Sequence, residues 1–396
     1  MSVYLDHAAT TPLRPEARDS WIRATESLGN ASSIHGPGQT ARRLLEDARE
    51  RLAQTLGCDP IEVVLTSGGT ESINLAVKGL WWGRRSAADA VVLPDGEHHA
   101  TLDAVDWLVQ REGAELRPVA LDAVGAVPVA DFATQLDGAA LATALVANNE
   151  VGTINDAASL ARAAAEAGTP LHLDAVSAFG HIPVSFARWR ADAVGPAGLV
   201  ALSVSAHKIG APVGVGALVV SRHAGLAPLL HGGGQQRGLR AGTQDVAGAA
   251  AFATAAEQAI AELDAEDRRL SQLRDRLARG ILSAVPDAEL LGSPTDRLPG
   301  NAHLLFPGAS GETLLFLLDQ AGIAVSTGSA CQAGVPEPSH VVLALGRTDA
   351  EARQVLRFTL GRTSTEDDVD AALAALPGAV ERARAAASGT RSAARS

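Results

Sequence analysis

The chain reads as an α/β protein: a large domain built on a mostly parallel sheet sandwiched by helices, then a smaller α+β domain. Two observations predict this. Through the first 248 residues, short apolar runs alternate with helical segments, the pattern of parallel strands joined by helical crossovers. From about residue 249 the texture changes to one long amphipathic helical run, followed by short strands and helices in mixed order. The expected units are an N-terminal arm and large domain (1–248), a small domain (249–378), and a disordered tail (379–396). The tail is assigned because "ARAAASGTRSAARS" is small, polar and basic.

The elements follow in order. "PEARDSWIRATESL" opens on proline and reads as a helix. "QTARRLLEDARERLAQTLG" carries Leu and Ala at helical spacing and stops at Gly57. "EVVLT" (62–66) is a strand that runs through a Gly-Gly turn into the helical "TESINLAVKGLWWG". Further strands are expected at 90–94, 141–147, 170–176, 198–205 and 214–221, with helices at 99–112 and 156–168 between them. The run from 249 to 282 is the long helix. "NAHLLF", "ETLLFLLDQAG", "IAVSTG" and "VLRFTL" make up the small domain with a last helix from about 365.

A net charge of −12 argues against nucleic-acid binding as the main function, since phosphate recognition requires basic patches. Two cysteines, Cys58 and Cys331, make no disulfide framework. The start "MSVYLDHAATTP" lacks the basic and apolar regions of a secretory signal, and no apolar run approaches the ~20 residues that span a bilayer. A cytoplasmic protein without membrane association is the simplest expectation.

Of 33 basic side chains only Lys78 and Lys208 are lysines. A position that keeps lysine against such a bias needs what arginine cannot do: lose a proton and condense with a carbonyl. The plainer reading is a surface lysine near a turn, so the neighbours decide. In "SVSAHK" (203–208), Ser205 and His207 lie beside Lys208 just after a strand, a set that suits a phosphate-bearing aldehyde; His207 could equally be a buried histidine bonded to backbone. In "TSGGTES" (66–72), a strand enters a helix through Gly69 and Thr70, offering free N–H groups and the positive end of a helix dipole to a phosphate. Its alternative is a glycine turn capped by Thr70. In "HLDAVS" (172–177), Asp174 ends an apolar strand where α/β proteins place ligands, and a carboxylate there could hold a protonated ring nitrogen or cap a helix. In "STGSACQAGVPEPSH" (326–340), Cys331 lies among Ser, Gly and Pro, as an accessible nucleophile would. A phosphate site, an acid for a ring nitrogen and an imine-forming lysine are together the parts of a pyridoxal 5′-phosphate site.

At this point the motifs "GNASSIHGPG", "TSGGTESINLAVKG", "EHHATLD", "NNEVGTIND", "HLDAVSAFGH", "SAHKIGAP", "HGGGQQRGLRAGT", "GSACQAGVPEPSH" and "RFTLGR" acquire a common meaning. The chain resembles the cysteine desulfurases of the NifS/IscS type, class V aminotransferases with the fold-type I architecture and its seven-stranded large-domain sheet. The likeness runs from "YLDHAATTP" to "LRFTLGRTSTEDDVD". It implies that Lys208 holds pyridoxal phosphate as a Schiff base and that His98 stacks on the ring and assists proton transfer. Asp174 would pair with the ring nitrogen, Asn149 would contact the ring hydroxyl and the substrate, and Gly69, Thr70, Ser205 and His207 would hold the phosphate. Thr243 would reach a phosphate across a homodimer interface, Arg357 would clamp the substrate carboxylate, and Cys331 would take sulfur from L-cysteine as a persulfide, leaving alanine. The chain departs from the family where a Gln usually contacts the ring hydroxyl: Ser177 or a water must fill that role. It also has Val204 and Ala206 around Ser205, Val213 where a lysine is common, and a slightly longer 191–205 segment. The spacing from Cys331 to "EPSH" matches the long-loop branch, which implies sulfur-acceptor partners such as an iron–sulfur scaffold or a sulfur carrier. The resemblance leaves two other readings: a selenocysteine lyase or related class V lyase, which would tolerate loss of Cys331, and a low-turnover sulfur-relay subunit.

Overall fold

A computed structural model describes residues 3–84, 88–328 and 337–393, with side chains as far as Ser388. Its strands are β1 (Val3–Tyr4), β2 (Val63–Thr66), β3 (Ala90–Pro94), β4 (Glu115–Val119), β5 (Leu141–Leu145), β6 (Pro170–Asp174), β7 (Gly198–Ser205), β8 (Gly216–Val220), β9 (Glu289–Leu291), β10 (Asn301–Leu305), β11 (Ile323–Ala324) and β12 (Val355–Thr359). Seven of them form the large sheet in the order β2-β8-β7-β6-β5-β3-β4. All pairs are parallel except those of β8, which runs against both β2 and β7. Strands β2, β3, β5, β7 and β8 are buried along their whole length, which explains their continuous apolar runs: helices cover both faces, so no side of the strand meets water.

Strand β4 has no counterpart among the expected elements. Its sequence, "ELRPV", is mostly solvent-exposed and contains Pro118. Pro cannot donate a ladder hydrogen bond, and the strand lies at the sheet edge, where that donor is not required. Without an apolar run there was no strand signal.

The small α+β layer is the antiparallel sheet β12-β10-β9 with helices Gly311–Gln320 and Glu366–Ala393 packed on it. The long helix Val246–Ala284 begins three residues before the expected boundary and joins the two layers. Ala249, Ala251, Phe252, Ala255 and Ala256 on its first half pack into the large-sheet core. Leu270, Leu273, Leu277 and Ile281 on its second half pack into the small-sheet core. Small side chains dominate the first half because it lies against helices Pro15–Thr25 and Gly36–Leu56 at close range. The N-terminal arm also crosses over. Strand β1 pairs with β11, Leu5 is buried in the small-sheet core, and Asp6 bridges to Thr359.

The tail expected from residue 379 differs. Helix Glu366–Ala393 runs on through it, burying Ala379, Val380 and Ala383 in the small-sheet core, while Arg384 bonds both oxygens of Asp287. Ala-rich composition concealed the continuation of the expected last helix, with its one apolar face. Truncation after Gly378 is therefore expected to lower the melting temperature by roughly 5 °C, since burial of the valine alone is worth about 2 kcal/mol. An unchanged melting temperature by calorimetry would contradict this packing.

Candidate active site

Strands β2, β3, β5, β6 and β7 all point their C-terminal ends toward one side of the sheet, and the site residues follow those ends. Gly69 and Thr70 come after β2, His98 after β3, Asn149 after β5, Asp174 closes β6, Ser205 closes β7, and His207 and Lys208 follow it. This is where open α/β sheets form ligand crevices. The crevice has a volume of about 380 Å³, and every one of these residues lines it, as do Ser177 and Arg357. A side recess of about 40 Å³ adjoins it through Asn149, Ser177 and Lys208.

The first side of the crevice is built for an anion. Helix Gly69–Trp82 starts there, with its unpaired first-turn N–H groups and positive dipole end directed into the space. A Cβ on Gly69 would lie 2.7 Å from Val176 Cγ2, so only glycine lets this backbone sit so close. The Ser205 hydroxyl is buried there with no hydrogen-bond partner among the described residues. A buried orphan donor next to a helix N-terminus is what a bound phosphate would satisfy. His207 Nδ1 lies 3.3 Å from Thr10 Oγ1, and burial, helped by Lys208, pushes its pKa down to about 4, so it stands neutral at pH 7.

The floor carries Asp174, 2% exposed. Its Oδ1 accepts from Val176 N at 2.9 Å. Burial lifts its pKa to about 6, against the opposing pull of the Val176 N–H and Lys208. A cationic N–H on a bound ring would hold it ionised. Glu97, buried nearby, takes the opposite part: burial raises it to about 8, so it is protonated at pH 7 and adds no second negative charge. His98 caps helix His99–Glu112, with Nδ1 accepting from Ala100 N at 3.0 Å. Its pKa is depressed to about 4 by burial and then by Lys208. The neutral ring must therefore carry its proton on Nε2.

Lys208 sits among these groups on the short 3-10 turn Ala206–Ile209. Its Nζ donates to the carbonyls of Ala8 and, at 3.1 Å, Ala9. Burial, and then the charge of Arg357, lower its pKa to about 8. Arg357, on β12, is oriented by Asp6 Oδ1 through Nη2 and by Asn149 O through Nη1, each at 3.0 Å. Its buried Nε has no partner among the described residues. A guanidinium so held keeps donor capacity for a carboxylate.

Sequence reasoning missed the part played by the arm: Ala8 and Ala9 reach the lysine through main-chain carbonyls, which leave no side-chain signature. It also missed Glu97, whose position in the quoted "EHH" was the available signal. Ser326 and Gly328 line the crevice too, so the segment bearing Cys331 departs from its wall; Cys331 itself lies outside the described residues. Thr243 is exposed on the loop before the long helix and does not line the crevice of its own chain. Among the described residues no three His, Cys, Asp or Glu side chains gather as a metal site, and no helix is long and apolar enough to cross a membrane.

An imine-competent lysine, an acid at the floor and an anion cradle on this sheet define a class, and the comparisons agree with it. The family model for class V aminotransferases matches residues 3–372, and the chain belongs to that family. The "IscS-like cysteine desulfurase" of Mycobacterium tuberculosis is 50% identical over 97% of this chain and 98% of its own. "Cysteine desulfurase IscS" of Methanosarcina thermophila is 38% identical over 97% and 93%. A solved "NifS-like protein" superposes with a TM-score of 0.88 at 32% identity, covering 96% of this chain and all of that one.

The lowered lysine generates a prediction. Only the neutral amine attacks an aldehyde, so condensation of the apoprotein with an aromatic aldehyde should accelerate with pH up to about 8 and then level off. Lys78, its amine 4.7 Å from the Trp107 ring centre, is the internal control. A rate that keeps climbing toward pH 10 would contradict the burial argument.

Proposed function

We propose that the protein is a cysteine desulfurase that converts L-cysteine to L-alanine and leaves the sulfur as a persulfide on Cys331. The observation that carries this is the convergence of Lys208, Asp174, the Gly69–Thr70 cradle and Arg357 on one crevice, with the stem of the Cys331 segment in its wall.

Pyridoxal 5′-phosphate bound here would supply a cationic ring that withdraws electrons from the substrate's α-carbon. The residues fit it. Gly69, Thr70, Ser205 and His207 would take the phosphate, with Thr243 of the partner subunit in a homodimer. Asp174 would hold the ring N–H, Asn149 and Ser177 would face the ring hydroxyl, and His98 would cover the ring. Arg357 orients L-cysteine by its carboxylate. The Nζ of Lys208, neutral in an appreciable fraction at pH 7, takes the α-proton and later returns protons to carbon. His98 Nε2–H is placed to exchange a proton with the reacting groups.

The Cys331 thiolate then attacks the substrate Sγ. An S–S bond forms as the Cβ–Sγ bond breaks, and the electron pair of the broken bond stays with Cβ, which gains a proton. Thiol plus cysteine thus gives persulfide plus alanine, with the transferred sulfur oxidised and Cβ reduced and no outside oxidant. The persulfide passes to a sulfur-acceptor protein, an iron–sulfur scaffold or a sulfur carrier. A reducing cytoplasm, which keeps Cys331 a thiol, suits the chemistry.

Sulfide release from L-cysteine with a reductant should fall at least about a hundred-fold in Cys331→Ala, because the variant lacks the nucleophile. Equal release by both proteins would mean direct elimination and a bystander cysteine, as in a selenocysteine lyase.

A further inference from the structure

Glu150 follows Asn149 in the sequence and is 1% exposed, yet it does not line the crevice. Its main chain is clamped on both sides. Asn148 Oδ1 accepts from its N–H at 2.9 Å, and Asn301 Nδ2 donates to its carbonyl at 3.0 Å. The side chain thereby points to the two stems of the segment that carries Cys331.

At the far stem, the hydroxyl of Ser339, fully buried, donates to Glu150 Oε2 at 2.5 Å, a short hydrogen bond. The same oxygen of Ser339 caps helix His340–Ala344 through Val342 N at 3.1 Å. At the near stem, Gly328 has φ +91, and a Cβ there would lie 3.0 Å from Glu150 Oε2 and 3.2 Å from His303 Cε1. His303 is fully buried, and burial, then Arg357 and Arg297, push its pKa down to about 3 against the opposing pull of a hydrogen bond to the Glu150 main chain. It is a neutral shoulder behind Gly328 that offers Glu150 no competing cation. Two residues earlier, Ser326 exchanges both backbone hydrogen bonds with Arg357, and Arg357 holds the Asn149 carbonyl.

We infer that Glu150 is a positioning residue: its carboxyl group bonds Ser339 and packs against Gly328 beside the wall that carries Asn149 and Arg357, and so sets the approach of the Cys331 thiol to bound substrate. This rests on the desulfurase reading. Glu150 touches neither substrate nor cofactor; it acts through the stems. Loss of these contacts leaves the crevice intact and misplaces the nucleophile, and a displacement of about 1 Å in a reacting group can cost up to about a hundred-fold in rate.

The test uses the cofactor-loaded enzyme and three variants: Glu150→Gln, which preserves shape, Ser339→Ala, which removes the donor, and Cys331→Ala. Two quantities are read in wild type, Glu150→Gln and Ser339→Ala: the concentration of L-cysteine that half-saturates the change in the cofactor's visible band, and the single-turnover rate of persulfide formation on Cys331; for Cys331→Ala, sulfide release from L-cysteine with a reductant is read. Glu150→Gln and Ser339→Ala should slow persulfide formation by about ten-fold or more while leaving half-saturation within about two-fold. Wild-type persulfide rates in both, with Cys331→Ala inactive, would overturn the inference alone. A matching loss of substrate binding or of the cofactor band would also overturn it, because Glu150 would then be supporting the crevice as a whole. Full sulfide release by Cys331→Ala would overturn the desulfurase reading and this inference with it.

Discussion

The site depends on burying one amine without giving it an anion. Among the described residues Lys208 makes no ion pair, and its Nζ rests on two backbone carbonyls of the arm. The nearby Arg357 has its own counter-ion in Asp6. A carboxylate on Lys208 would fix the ammonium form and quench its reactivity. Carbonyls satisfy its hydrogen bonds while leaving the pKa low. The neighbouring titrations follow the same logic: burial keeps His98 and His207 neutral and Glu97 protonated, so Asp174 is the carboxylate available to a cationic ring.

That arrangement requires both layers of the fold. The parallel strands bring five of their C-terminal ends to one side, but Arg357 stands on the small sheet, and the carbonyls that hold Lys208 come from the arm. The arm is fixed to the small layer by β1 pairing with β11 and by Leu5 in its core. The long helix Val246–Ala284 is buried in one core at its start and in the other at its end, so it ties the two layers together. Substrate orientation and lysine chemistry are therefore coupled through packing well away from the crevice.

The parts legible in the sequence share a physical cause. Strands buried on both faces are mostly apolar, so β3, β5 and β7 stand out; β4, an edge strand carrying Pro118, does not. Lys208 stands out because arginine replaces lysine almost everywhere else, and Gly69 because a glycine pair separates a strand from a helix. Backbone carbonyls such as those of Ala8 and Ala9 are the same in every residue and carry no such mark. Glu150 was hidden in a quoted motif, since its role depends on Ser339, which is 189 positions away. The continuation of the final helix past residue 378 was hidden because alanine and serine do not declare which side is buried.

The most direct measurement is borohydride reduction of the cofactor-loaded protein followed by peptide mapping. The account predicts one reduced adduct per chain, on Lys208, with Lys78 unmodified. An adduct on Lys78, or none that survives reduction, would contradict it.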